Sequence, residues 1–276
     1  MTSRELASWD GSPLHVEVSG TGPPVVVLHG FTGSIEAMRP LLGPLATAHT
    51  VVAVDLLGHG RSAAPADPNR YRASELYLDL DAVVGALDFD SYALAGYSLG
   101  GRLALGYGCS RPSRVSQVAV IGAGLGFEDE AARRARVESD EALAALVEQQ
   151  GVPVFVDHWM RQPLIAGQTS PGSPGEIEAK ARRLALEPNG LTGMLRGFGQ
   201  GAMPPLGPQL GGLEAPVLAV VGSEDHKFRA AADRIVELAP DARVAVVKGA
   251  GHAPHVEEAT KTAHLLLAFF AGFPAS

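Results

Sequence analysis

The chain has 276 residues, 46% of them hydrophobic and 19% charged, with 33 glycines and 20 prolines. That composition excludes a disordered or collagen-like chain and supplies enough apolar material for one large core. With 22 Lys and Arg against 30 Asp and Glu the net charge is −8, and no basic stretch of the kind that binds nucleic acid stands out. The first ten residues, Met1 to Asp10, lack the apolar core of a secretory leader. Leu14 to Val18 alternates in polarity and is expected to be an antiparallel edge strand. Four continuous apolar runs follow, each closed by a turn signal: Val25–Leu28, Val51–Val54, Ala93–Ala95 and Val118–Ile121. Loss of alternation marks strands covered on both faces, as in a parallel sheet. From Gly122 to about Pro216 no strand run appears. Glu128–Gln150, Val154–Arg161 and Glu176–Leu186 read as helices, with a Pro/Gly/Ser-rich loop at Gly167–Gly175. Strand runs return at Val217–Val221 and Val244–Val247. The stretch Leu265–Phe273 is apolar but too short to cross a bilayer. The expected architecture is α/β: residues 1–122 and 207–276 form one discontinuous core, and 123–206 a helical insert. The expected setting is the cytoplasm, with no membrane span.

Gly96-Tyr97-Ser98-Leu99-Gly100 follows one of these strands and precedes the helical pattern Gly101–Cys109. As a bare pattern, Gly-x-Ser-x-Gly arises by chance in a glycine-rich chain. Between strand and helix it is a tight turn that lifts a serine hydroxyl above the sheet, its glycines letting backbones pass. Asp225 follows the strand Val217–Val221, and His252 follows Val244–Val247. A serine hydroxyl is a weak nucleophile or base at neutral pH, and histidine can activate it if a carboxylate holds the imidazole in the right tautomer. The order Ser98, Asp225, His252, each behind a strand, is that of the α/β-hydrolase fold. Glu224 is a rival to Asp225 as the acid. Oxyanion donors are expected from the backbone amides of Leu99 and of the loop after Val25–Leu28, at Phe31. His59, in Gly58-His59-Gly60, reads as part of a structural turn. The single cysteine, Cys109, excludes an internal disulfide, and no spacing suggests a metal site. There is no dinucleotide fingerprint, so no cofactor is expected.

Arg102 lies four residues after Ser98, on the same helix face. An arginine so close to a nucleophile needs an anion or water, and in an acidic protein it suggests a carboxylate-bearing substrate. A structural acid could equally be its partner. Arg133, Arg134, Arg136, Arg182 and Arg183 are alike on charge alone. Tyr97 and Trp159 suit either a pocket wall or ordinary packing.

Leu28–Ser34 (LHGFTGS), Asp55–Ser62 (DLLGHGRS), Gly96–Leu105 (GYSLGGRLAL) and Gly251-His252-Ala253 resemble the α/β-hydrolase superfamily. Within it, the chain is similar to the 2-succinyl-6-hydroxy-2,4-cyclohexadiene-1-carboxylate synthases of menaquinone biosynthesis. The narrower matches are Phe31–Ser34, Gly96–Arg102, Asp225-x-Lys227-Phe228, Arg133-x-x-Arg136-x-x-x-Asp140, Trp159 with Gln162–Leu164, and Gly190-Leu191 with Leu195–Gly197. The resemblance implies a lyase that eliminates pyruvate from a succinyl-bearing cyclohexene carboxylate, with Ser98 as base. It implies substrate contacts at Tyr97, Arg102, Arg136, Trp159 and Arg183, and that the insert 123–206 is a cap. The alternative on the same scaffold is a hydrolase of esters or of carbon–carbon bonds in dienone acids. The chain departs from the synthases at Met38, where they carry tryptophan, and over Ala202–Gly207.

Overall fold

The computed structural model describes residues 1–272. Residues 273–276, which close the Leu265–Phe273 stretch and the expected core, lie outside the described residues. Eight strands form one sheet: β1 (Thr2–Ala7), β2 (Pro13–Ser19), β3 (Pro24–Leu28), β4 (Thr50–Val54), β5 (Tyr92–Tyr97), β6 (Val115–Ile121), β7 (Val217–Gly222) and β8 (Ala242–Val247), in the spatial order β1-β2-β4-β3-β5-β6-β7-β8. From β4 to β8 every pairing is parallel, and β2 is antiparallel to both its neighbours.

The Leu14–Val18 segment is antiparallel but not an edge, because β1 pairs outside it from Thr2↔Val18 to Ala7↔Pro13. β1 is almost wholly exposed, so it is held by ladder hydrogen bonds and carries no apolar run to announce it.

Within the central strands, alternate residues enter two different cores, as the twofold period of a strand requires. Val26, Leu28, Val52, Val54 and Leu94 face one layer, and Val25, Val27, Val51, Ala53 and Ala93 face the other. The first layer includes α2 (Ala73–Ala86) and α3 (Leu99–Ser110). The second is covered by α1 (Ile35–Leu45) and, at the far end of the chain, α10 (Ala259–Phe270).

Between β6 and β7 lie α4 (Glu130–Met160), α5 (Pro163–Ala166), α6 (Pro174–Leu184) and α7 (Pro188–Phe198). The two helical patterns expected at 128–150 and 154–161 are the two limbs of α4. Gly151 breaks it with φ 83° and ψ 166°, a conformation that is essentially glycine-only. α6 begins earlier than expected because Ser173 accepts the amide of Glu176 and Pro174 occupies the first turn. Sequence patterning does not reveal α7, since Gly190, Gly193 and Gly197 lower its helix propensity. They are there for packing. A Cβ on Gly190 would run into Gly58, and one on Gly193 or Gly197 into Tyr71. α8 (His226–Leu238) follows β7, and α9 (Pro254–Glu257) precedes α10. Among the described residues no helix is long and apolar enough to cross a membrane.

Candidate active site

β5 ends at Tyr97 and α3 starts at Leu99, so Ser98 alone makes the turn. It does so at φ 48° and ψ −102°, a sparsely populated conformation for a residue with a Cβ. The surroundings force it. A Cβ on Gly96 would strike the Gly100 carbonyl, and one on Gly100 the Leu28 carbonyl, so β3, β5 and α3 approach with no room to relax. The Ser98 amide still donates to Ile121 O at 2.8 Å, keeping the turn registered on β6.

The imidazole of His252 faces this hydroxyl, with Nε2 3.4 Å from Ser98 Oγ, a loose spacing of the sort that tightens when substrate organises a site. Its Nδ1 donates to Asp225 Oδ2 at 2.7 Å, which fixes the tautomer that leaves Nε2 free to take a proton. Asp225 is held in turn, because Oδ1 accepts the Phe228 amide at the start of α8. Glu224 is exposed and accepts from Ser223 Oγ at 2.8 Å, while the imidazole is bonded to Asp225, so the rival acid does not meet it. The Phe228 ring packs 4.4 Å from that of His252.

Leu99 supplies the first amide of α3, which has no acceptor within the helix. Opposite it runs the loop after β3, in which Thr32 adopts φ 60°. Two buried histidines pin that loop. His29 accepts the Leu56 amide at 3.0 Å, and His59 accepts the Thr32 amide at 3.2 Å. Burial, reinforced by the neighbouring His29, holds the pKa of His59 down to about 3, so it stays a neutral acceptor. The turn histidine thus braces Phe31 without touching the reacting groups.

Over Ser98 opens a cavity of about 510 Å³, lined by Phe31, Tyr97, Leu99, Trp159, Arg102, Arg136 and His252 among others. Phe31 meets Trp159 edge-on at 5.3 Å, and Trp159 stacks on Phe155. The Tyr97 ring lies 5.4 Å from His252, and its hydroxyl accepts from Gln168 at 3.0 Å. Burial raises the Tyr97 pKa, so it remains a phenol.

Arg102 is 5% exposed. Its Nη1 donates to Phe198 O at 3.1 Å and to Met203 Sδ at 2.9 Å, while Nε has no partner. No carboxylate bonds to it among the described residues. Burial, then repulsion from Arg136, draws its pKa down to about 9, which leaves it cationic at neutral pH. Arg136 Nε donates to Asp140 Oδ1 at 2.9 Å. Asp140 is buried, which raises its pKa, and among the described residues its Oδ2 has no hydrogen-bond partner. Charge alone does not separate the arginines of this region, but geometry does. Arg133 is committed to Gly201 O and Arg134 to Glu130, whereas Arg136 reaches the cavity. Arg183 stands apart, in an adjoining cavity of about 330 Å³ beyond Phe31 and Tyr97, with Nε on Thr32 Oγ1 at 3.2 Å.

These features lie at the carboxyl ends of parallel strands, where α/β sheets bind their ligands. A family model of the alpha/beta hydrolase fold matches residues 23–259. The chain belongs to the α/β-hydrolase family. A Bacillus subtilis relative, provisionally assigned as a 2-succinyl-6-hydroxy-2,4-cyclohexadiene-1-carboxylate synthase, is 32% identical over 85% of either chain. A Yersinia pestis synthase of that name is 29% identical over 98% of this chain and 94% of its own. The solved structure of MenH from S. aureus superposes with a TM-score of 0.87 at 27% identity, covering 94% of this chain and 98% of that one. Bromoperoxidase from Bacillus anthracis, at 20% identity and a TM-score of 0.83, shares the fold.

The cavity is charged, with Arg102, Arg136 and Asp140 among its lining residues. Lys227 lines it too. Lys227 stands in Asp225-x-Lys227-Phe228, where nothing in the sequence marks it as a cavity cation, because its place depends on where α8 starts. Of the two departures, Met38 is buried in the α1 core and does not line the cavity. Ala202–Gly207 does reach the site, through Met203 against Arg102. Among the described residues no three His, Cys, Asp or Glu side chains gather as a metal site requires.

Proposed function

We propose that this chain is a lyase that eliminates pyruvate from a succinyl-bearing cyclohexene carboxylate. The product would be 2-succinyl-6-hydroxy-2,4-cyclohexadiene-1-carboxylate, in menaquinone biosynthesis and in the cytoplasm. In this reading residues 1–122 and 207–276 are the catalytic core, and 123–206 a cap that closes the site. The observation that carries it is the opening of the Ser98–His252–Asp225 line into a cavity whose Arg102 lacks a carboxylate partner. Similarity to the named synthases supports the choice of substrate.

In the proposed mechanism His252, oriented by Asp225, takes the proton of Ser98, and the seryl oxygen removes the ring proton beside the succinyl ketone. The enolate oxygen is held by the Phe31 and Leu99 amides. Its electrons move through the ring double bond and break the bond to the enolpyruvyl oxygen. His252 returns its proton to the departing enolate, which ketonises to pyruvate. Ser98 is a base throughout and forms no acyl intermediate. The substrate carries carboxylates on the ring, the succinyl arm and the enolpyruvyl group. Arg102 and Arg136 bind in the main cavity, Arg183 contributes from the adjoining one, and Tyr97 and Trp159 form the walls. No cofactor enters these steps.

The test follows pyruvate release and diene absorbance with the synthase substrate. Turnover that disappears in Ser98→Ala is the expected result. Rapid hydrolysis of a simple aryl ester with no pyruvate formed would overturn the lyase reading in favour of a hydrolase.

A further inference from the structure

The geometry points to Lys227 as the residue that binds the carboxylate of the departing three-carbon 2-oxo acid. This rests on the elimination proposed above and assigns its leaving group to one side of the cavity.

Lys227 is the second residue of α8, whose first turn Asp225 caps. It is exposed at the cavity and lines it, with its ammonium 5.4 Å from the Phe228 ring. Among the described residues that ammonium has no hydrogen-bond or ion-pair acceptor. The two main-cavity arginines, Arg102 donating to Phe198 O and Met203 and Arg136 to Asp140, are left for the other carboxylates of the substrate. They stand on α3 and α4, whereas Lys227 stands on α8. The same Phe228 ring that lies 5.4 Å from the ammonium packs 4.4 Å from His252. The ammonium and the group that protonates the leaving oxygen thus share one aromatic neighbour.

That relation matches the leaving group. In an enolpyruvyl ether the carboxylate sits on the carbon that bears the departing oxygen. In the proposed pose an oxygen within reach of His252 has its carboxylate on the α8 side, where Lys227 lines the same cavity. When the ring carbon–oxygen bond breaks, the oxygen keeps the electron pair and His252 supplies the proton. Lys227 contributes charge and donors only, with no covalent change. Because it meets that carboxylate both before and during bond cleavage, it acts mainly on binding.

The experiment compares wild type, Lys227→Met and Lys227→Arg in two assays. The first reads KM, kcat and inhibition by added pyruvate with the synthase substrate. The second reads saturation transfer from the protein to the pyruvate methyl group by NMR, which needs no turnover. The expected result is a loss of pyruvate affinity of about fivefold in Lys227→Met, the upper end for a solvent-accessible ion pair. KM should rise and kcat change less, with most of the affinity restored in Lys227→Arg. Pyruvate affinity and KM unchanged in Lys227→Met would overturn the assignment and leave Lys227 a solvated lysine at the rim. If wild type releases no pyruvate, the elimination reading fails. The NMR titration then decides by itself whether Lys227 holds a small 2-oxo acid.

Discussion

A guanidinium buried without a carboxylate is costly in a folded protein, and Arg102 is in that position while lining the cavity beside Ser98. Removing the charge should therefore separate stability from function. Arg102→Met should hold or raise the melting temperature, yet raise KM for the carboxylate substrate at least about tenfold, the loss of about 1.4 kcal/mol. A neutral aryl ester measured in parallel should be affected far less, and equal losses on both would remove the proposed role. For Ser98→Ala, loss of the proposed base should lower kcat by about 10³ or more, with substrate binding retained in a calorimetric titration.

At the scale of elements, Gly151 divides α4 so that its second limb brings Phe155 into contact with Phe31 and Trp159 to the cavity wall. Gly151→Ala would place a Cβ in a glycine-only conformation at a cost of about 1–3 kcal/mol. The expected outcome is a lower melting temperature together with a raised KM. An unchanged melting temperature would mean that the kink is not constrained by Gly151. Most other elements are legible from their residues. The continuous valine runs become β3 and β4 because both faces are covered, and Asp129 before an acidic first turn starts α4. β1 and α7 are not legible, for opposite reasons. β1 buries almost nothing, and the glycines of α7 serve neighbours far away in sequence.

For the whole molecule, the buried histidines are expected to add to its acid sensitivity. Burial is the largest cause lowering the pKa of His59 and of His255, each to about 3. Between that value and about 6.5 the unfolded chain binds protons that the folded chain refuses. Stability is therefore lost as pH falls through this window, by roughly 1.4 kcal/mol per pH unit for each histidine. Urea midpoints at pH 7 and pH 5 should differ markedly. His255→Gln, which cannot titrate, should show a smaller difference if it folds. An equal difference in the variant would place the sensitivity elsewhere.

What the chain specifies by itself is whatever depends on local order: strand runs with their turn signals, a serine between glycines after a strand, and an acid and a histidine behind two later strands. These patterns also fix which residues leave the carboxyl edge of the sheet, since each follows its own strand directly. Distances across the sheet are another matter. That Asp225 rather than Glu224 meets His252, that Arg136 rather than Arg133 or Arg134 reaches the cavity, and that Arg183 lies behind Phe31 and Tyr97 follow from helix phase and packing. Such relations are set by how elements far apart in sequence come to rest on one another, which neighbouring residues along the chain do not encode.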